Sequence, residues 1–139
     1  MTIASLDFGK RRIGLALAYE EHGAVIPLEV IERKSLVRDL ALVVRRLTEL
    51  EVSQVIVGLP LNMDGTEGLQ ARAAARFAEQ LRETSGLVVE LFDERLSSFE
   101  ARDRLRESGG RRPRGGIDAL AAAVILESWL ARSRTVSPD

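Results

Sequence analysis

Four carboxylates lie where predicted elements of secondary structure end or begin. Asp7 closes an apolar run, Asp93 and Glu94 close another, and Asp118 opens a helical segment. Carboxylates that meet repel one another, so a bound cation or an added proton must compensate their charge. Oxygen ligands in a chain without cysteine favour Mg²⁺ or Mn²⁺ over zinc. Two such ions about 4 Å apart can bind the attacking and leaving oxygens of a phosphodiester.

Helical spacing predicts that Asp118 faces the rest of the protein rather than solvent. It shares one helical stripe with Ala122, Ile125 and Trp129. If the apolar members of this stripe pack on a sheet, Asp118 approaches carboxylates at strand ends. Taken singly, each acid also fits an ordinary role as a turn residue, a helix N-cap or a surface ion pair. The metal-site interpretation therefore depends on the joint placement of the acids.

Cationic residues accompany these acids. Lys10, Arg11 and Arg12 follow Asp7 after a glycine that permits a tight turn. Residues 95–114 carry seven arginines against three acids. Both clusters fit local phosphate binding, and both equally fit a solvated surface, in a chain whose net charge is −1.

Apolar periodicity predicts the elements that must position these residues. Strands are predicted at 2–8, 12–19, 25–33, 52–59 and 87–92, with helices at 35–50, 67–83, from 97 onwards and at 117–131. Ser35 is the predicted cap of the first helix, and Pro27 suggests an edge strand. Residues 111–116 are a predicted loop. This order predicts one α/β domain at 1–132, with a mixed five-stranded sheet, flanking helices and a flexible tail at 133–139.

The composition is that of one compact domain. The chain has 139 residues, of which 45% are hydrophobic and 29% charged, enough for one core and too few for two domains. No apolar run approaches the ~18 residues of a membrane span, and no signal-peptide pattern opens the chain. We therefore expect no membrane partner and a cytoplasmic location.

Four motifs in order resemble one known family. They are Asp7–Gly14 (DFGKRRIG), Val57–Gly68 (VGLPLNMDGTEG), Asp93–Ser97 (DERLS) and Asp118–Glu127 (DALAAAVILE). Together they resemble the YqgF family, also called RuvX, the pre-16S rRNA nuclease and Holliday-junction-resolvase-like family. The resemblance covers nearly the whole chain. It implies a ribonuclease H-like fold with the strand order 3-2-1-4-5.

The resemblance also implies which residues perform the chemistry. Asp7, Glu94 and Asp118 would be catalytic and would bind Mg²⁺ or Mn²⁺, as two ions. Asp93 is the alternative to Glu94, because neighbours at a strand end point to opposite faces. Seven residues are expected to contact substrate: Lys10, Arg11, Arg12, Asn62, Arg95, Arg112 and Arg114.

Three of these expected contacts, at Asn62, Arg112 and Arg114, have an alternative role or differ from the family pattern. Asn62 and the backbone amides around Gly65 could equally form a structural turn in which Thr66 caps the following helix. Family members often carry a lysine shortly before the last acid, where this chain has Gly115 and Gly116. Arg112 and Arg114 are the nearest cations there, and the planar guanidinium suits phosphate.

The implied function is a metal-dependent nuclease acting on structured RNA, with 5′-end processing of the 16S rRNA precursor as its role. The alternative is a resolvase of four-way DNA junctions, which must cut two symmetric strands and should act as a homodimer. A kinase or ATPase of the actin type is disfavoured because it needs a second lobe. A non-catalytic nucleic-acid-binding module is disfavoured because the predicted acids are all present.

Overall fold

The structure, a computed structural model, describes residues 1–19, 23–97, 102–103 and 116–135, with the backbone alone at 116–118 and 134–135. Within these ranges the elements are β1 Thr2–Phe8, β2 Arg12–Tyr19, β3 Val25–Glu32, α1 Leu36–Glu49, β4 Val52–Leu59, α2 Leu69–Ser85, β5 Val88–Asp93, a 3-10 turn Glu94–Leu96 and α3 Gly116–Thr135. Arg102 and Asp103 are also helical. None of the described helices is long and apolar enough to cross a membrane.

The five strands form one mixed sheet in the order β3-β2-β1-β4-β5, as predicted. β2 pairs antiparallel with β1 and β3, whereas β4 pairs parallel with β1 and β5. Pro27 lies on an edge strand, where the loss of a backbone N–H is tolerated. Because β1, β4 and β5 are parallel, Phe8, Leu59 and Asp93 end at the same edge of the sheet, here called the carboxyl edge.

One face of the sheet packs against α1 and α2. Leu6 and Phe8 of β1 join a buried cluster that includes Leu47 of α1 and Phe77 of α2. The rings of Phe8 and Phe77 stack with their centroids 4.4 Å apart. This contact fixes the last residue of β1, directly after Asp7.

The opposite face of the sheet packs against α3. Ile3 belongs to a cluster with Leu126 and Leu130. The buried Ser5 Oγ donates a 2.6 Å hydrogen bond to the carbonyl oxygen of Ala122. Later helix residues therefore contact earlier strand residues, so α3 runs antiparallel to β1. Because side chains alternate along a strand, Asp7 faces the same side as Ser5.

The β1–β2 turn requires a glycine because the chain doubles back on itself there. The Gly9 N–H donates to the carbonyl oxygen of Arg12 over 2.9 Å. A Cβ at Gly9 would lie 2.8 Å from that same oxygen, closer than real Cβ atoms come to backbone. The tight turn expected after Asp7 is confirmed. Ser35 is also confirmed as the N-cap of α1, since its side chain accepts a hydrogen bond from the Arg38 N–H.

The helix ends differ from the predictions. α2 begins at Leu69 with Gly68 as its N-cap, and Thr66 does not cap it because the Thr66 hydroxyl donates to Asp64 over 2.6 Å. α3 continues through Thr135 into the predicted tail, because neither glycine nor proline interrupts it before Pro138. Residues 136–139 lie outside the described ranges, as do most residues of the predicted helix from 97 and of the predicted loop at 111–116.

Candidate active site at the carboxyl edge of the sheet

Asp7 and Glu94 approach each other across the end of β4. Asp7 lies on β1, and Glu94 is the first residue of the 3-10 turn after β5. Gly58 of β4 pairs with Phe92 of β5, and the preceding residue Val57 pairs with Leu6 of β1, so Gly58 lies between the two strand ends. A Cβ at Gly58 would lie 2.7 Å from Glu94 Oε2 and 2.5 Å from Ile125 Cδ1. The missing side chain therefore makes room for the Glu94 carboxylate and for α3.

The pKa of Glu94 reports this crowding. The pKa of Glu94 is raised to about 7. The largest cause is the partial burial of its side chain, followed by the negative charges of Asp7 and then Asp93. A carboxyl group with such a pKa is partly protonated at neutral pH unless a cation approaches it.

Asp93 has the opposite environment. It accepts a hydrogen bond of 2.9 Å from the Arg95 N–H and contacts the Arg95 guanidinium through Nε at 3.1 Å and Nη2 at 2.7 Å. These bonds from Arg95 hold the pKa of Asp93 below its usual value. Asp93 caps the 3-10 turn, whereas Glu94 lies beside Asp7. This geometry makes Glu94 the better candidate of the two for a metal ligand.

The third predicted acid, Asp118, lies in the first turn of α3, one turn before Ala122. Because Ala122 lies opposite Ser5 and α3 runs antiparallel to β1, the backbone at 118 lies near the strand end that carries Asp7. The Asp118 side chain is outside the described part of the chain. Among the described side chains, no group of three or more acids or histidines could bind a metal ion.

The predicted phosphate-binding cations lie beside Asp7. Lys10 and Arg11 form the β1–β2 turn, Arg12 begins β2, and all three are exposed. Arg112 and Arg114 lie outside the described residues.

Arg95 was predicted to orient the substrate phosphate, but its guanidinium is engaged within the protein. In addition to binding Asp93, its Nη1 donates to the carbonyl oxygen of Met63 over 3.2 Å. Arg95 therefore ties the 3-10 turn to the loop that follows β4. The pair with Asp93 is one of the ordinary roles that the sequence leaves open, whereas the contact with Met63 has no sequence signal, because the 3-10 turn that carries Arg95 lies beyond the apolar alternation of β5.

The loop that contains Asn62 is closed by its own hydrogen bonds. Asn62 Nδ2 donates to Thr66 Oγ1 over 3.0 Å, and the Gly65 N–H donates to the Asn62 carbonyl oxygen over 2.8 Å. The Thr66 N–H donates to Asp64. The Gly65 N–H and the side-chain amide of Asn62 therefore form hydrogen bonds within the loop, as the structural-turn alternative expects. Thr66 closes this loop and does not cap α2.

The donor chemistry at the carboxyl edge fits a hard divalent cation. Asp7 and Glu94 offer carboxylate oxygens, which suit Mg²⁺ and Mn²⁺. A cation beside Glu94 would also offset the charge repulsion that raises its pKa. Sequence reasoning did not identify Gly58, although a glycine within the β-branched run of β4 is the kind of signal that marks a close approach.

Known proteins share both sequence and fold with this chain. A protein named "Putative pre-16S rRNA nuclease" from Anaeromyxobacter sp. (strain Fw109-5) is 53% identical over 132 residues, which are 94% of this chain and 96% of that one. A protein of the same name from Proteus mirabilis is 42% identical over 133 residues, with the same shares of the two chains.

Solved structures with lower identity share the fold. RuvC from Thermus thermophilus in complex with Holliday junction substrate aligns with a TM-score of 0.68 and 16% identity, over 98% of this chain and 96% of that one. A second Thermus thermophilus RuvC structure aligns with a TM-score of 0.64 and 20% identity, over 96% and 97% of the two chains. The predicted ribonuclease H-like fold is thus confirmed. A family model described as RuvX, Holliday junction resolvase, matches residues 1–132, and the chain belongs to this family.

Proposed function

We propose that this protein is a divalent-metal-dependent nuclease that hydrolyses phosphodiester bonds of structured RNA in the cytoplasm, at the 5′ end of the 16S rRNA precursor. The nuclease activity is inferred chiefly from the adjacency of Asp7 and Glu94 at the carboxyl edge, across Gly58. The choice of RNA is supported by the shared name of relatives that match almost the whole chain.

The residues of the site divide into metal ligands and phosphate-binding cations. Asp7, Glu94 and Asp118 would bind Mg²⁺ or Mn²⁺, as two ions. When bound, the ions would stabilise the negative charge that develops on the phosphate oxygens. Glu94 would bind the ion in its ionised form, so binding would require the loss of any proton that the raised pKa leaves on its carboxyl group.

The predicted cations would bind the nucleic-acid backbone. Lys10, Arg11 and Arg12 would contact phosphates next to Asp7, and Arg112 and Arg114 would contact the flanking strand. Arg95 would support the site indirectly, because its contact with the Met63 carbonyl holds the loop after β4 against the 3-10 turn that carries Glu94.

The test is cleavage of labelled substrates with Mg²⁺ or Mn²⁺ by the natural protein, by Asp7→Asn and by Glu83→Gln. Glu83 is an exposed acid near the far end of α2, so its amide variant controls for the loss of one negative charge. We expect metal-dependent cleavage of an rRNA-precursor hairpin that Asp7→Asn abolishes and Glu83→Gln retains, with both variants folded by circular dichroism. Cleavage by Asp7→Asn at the natural rate would contradict the assignment.

Resolution of four-way DNA junctions is the second candidate, favoured by the description of the matching family model. Paired symmetric cuts in a DNA junction, without cleavage of RNA, would establish it. A resolvase should also sediment as a two-fold dimer when bound to a junction.

A further inference from the structure

Arg33 and Asp39 form a partly buried ion pair behind the β1–β2 turn. Asp39, in the first turn of α1, is 0% exposed. Its Oδ2 accepts from Arg33 Nε over 3.3 Å, and its Oδ1 accepts from the Lys34 N–H over 3.0 Å. A buried carboxylate is tolerated only when it is paired and hydrogen-bonded, so these bonds fix Arg33 relative to α1.

Arg33 in turn contacts four consecutive residues that lead out of β1. Its guanidinium carbon lies 4.2 Å from the centroid of the Phe8 ring, and Nη1 donates to the carbonyl oxygens of Gly9 at 3.1 Å and Lys10 at 3.4 Å. The Arg33 N–H donates to the carbonyl oxygen of Arg11 over 2.8 Å. The planar guanidinium contacts Phe8, Gly9, Lys10 and Asp39 at once, which a lysine ammonium could not do in the same geometry, whereas the bond to Arg11 comes from the Arg33 backbone.

We propose that Arg33 and Asp39 are positioning residues that fix the β1–β2 turn, so that Lys10 and Arg11 present their cationic side chains to nucleic-acid phosphates next to Asp7. The inference rests on the proposed function for the role of those two cations. A turn fixed in advance loses less conformational entropy on binding than a mobile one, so the pair would increase affinity without touching the ligand.

A matched control exists in another arginine–carboxylate contact that α1 makes. Arg46 of α1 binds Glu29 of β3 through Nε at 2.9 Å, and so joins β3 to α1, but away from the turn. Arg33→Gln removes the partly buried pair with Asp39, and Arg46→Gln removes the pairs with Glu29 and Glu49. Any loss of affinity shared by the two variants measures general destabilisation, and a loss confined to Arg33→Gln measures positioning.

The first measurement is the affinity for an rRNA-precursor hairpin and for a four-way DNA junction in EDTA, so that cleavage plays no part. We expect Arg33→Gln to weaken binding about tenfold and Arg46→Gln to leave it nearly unchanged. Arg33→Lys, a milder change if Arg33→Gln does not fold, should weaken binding in the same direction. Equal affinities for Arg33→Gln and Arg46→Gln would overturn the inference.

A double-mutant cycle then tests whether Arg33 acts through Lys10. In the natural protein and in Arg46→Gln, Lys10→Ala should weaken binding by the same factor, whereas in Arg33→Gln its effect should be much smaller. Full additivity in both backgrounds would overturn the proposal. Hydrogen exchange at residues 9–12 gives a readout that does not need nuclease activity, and it should accelerate only in the Arg33 variants. Coupling in the binding cycle, together with a natural protein and a Glu83→Gln variant that cleave none of the substrates, would refute the nuclease while leaving the positioning role supported.

Discussion

Asp93 and Glu94 are neighbours in the chain, yet their carboxylates have opposite environments. Hydrogen bonds from Arg95 lower the pKa of Asp93, whereas burial and the charge of Asp7 raise the pKa of Glu94 to about 7. The first carboxylate stabilises the 3-10 turn, and the second is destabilising when ionised without a cation. This contrast assigns the two residues different roles.

The raised pKa predicts how Glu94→Gln changes stability with pH. Between about pH 4.5 and pH 7 the folded protein binds a proton on Glu94 that the unfolded chain has released, so the free energy of unfolding falls as pH rises through this window. The fall is about 3 kcal/mol at most. Glu94→Gln should therefore be more stable than the natural protein at pH 8 and similar at pH 4.5, as measured by urea unfolding without metal.

Asp93→Asn serves as the control for this measurement. In the natural protein the pKa of Asp93 is lower in the folded state than in the unfolded chain. The stability that ionised Asp93 contributes is therefore present above the unfolded-state pKa and is lost only as pH falls through the folded-state pKa. The variant should be less stable than the natural protein at both pH 6 and pH 8, by a somewhat smaller amount at pH 8, because it also removes a negative charge that disfavours ionised Glu94. A Glu94→Gln protein that is destabilised at pH 8 would contradict the electrostatic account.

The sequence predicted the proximity of Asp7 and Glu94 more successfully than it predicted the contacts of the Arg95 guanidinium. Strand alternation and the family resemblance are sufficient to place acids at parallel strand ends. The engagement of Arg95 with Asp93 and Met63 depends on a 3-10 turn and a loop, and neither has a periodic signal. Asp118 stays a prediction, because its side chain lies beyond the described residues.

At the level of elements, Gly58 lets β4, the 3-10 turn and α3 approach one another. Gly58→Ala would place a Cβ against Glu94 Oε2 and Ile125 Cδ1, so either the carboxylate or α3 must move. We expect cleavage to fall at least tenfold and the melting temperature to drop by several degrees, in line with overpacking costs of about 1–3 kcal/mol. Cleavage assays and thermal unfolding measure the two effects.

Gly68→Ala provides the comparison, since a Cβ there would meet only Asn62, at an ordinary distance of 3.7 Å. Its φ of −86° is open to alanine, so activity should persist, while the loss of a glycine N-cap should lower the free energy of unfolding by about 1 kcal/mol at most. If Gly58→Ala behaved like Gly68→Ala, the close approach at Gly58 would not matter for the site.

The strands were easier to predict than the helix ends. β1, β2 and β4 have runs of apolar and β-branched residues between turn residues, and their bounds agree with the prediction. The start of α2 was misplaced because Thr66, which looks like a cap, bonds to Asp64 instead. Local sequence offered Thr66 two hydrogen-bonding partners, and only the folded loop decides between them.

For the whole molecule, the small net charge does not reflect the local clustering of positive charge. The chain carries a net charge of −1, but Lys10, Arg11 and Arg12 lie together at the carboxyl edge, beside Asp7. Such a distribution directs phosphate to one edge rather than to the whole surface. The same edge holds the acids that a divalent cation would bind, so binding of the cation should stabilise the folded state.

This linkage predicts that Mg²⁺ or Mn²⁺ raises the melting temperature of the natural protein at pH 8. A ligand that binds only the folded state at one hundred times its Kd adds about 3 kcal/mol to the free energy of unfolding, which corresponds to several degrees here. Asp7→Asn and Glu94→Gln should lose most of this increase, because each removes one carboxylate ligand.

Glu83→Gln separates site binding from general screening, because it removes an exposed charge far along α2 from the carboxyl edge. It should keep the full increase in melting temperature, and Na⁺ at equal ionic strength should produce none in any variant. An increase of the same size in Asp7→Asn, Glu94→Gln and Glu83→Gln would mean that the cation binds elsewhere. No increase in the natural protein would refute a metal site at Asp7 and Glu94, whichever nucleic acid the protein cleaves.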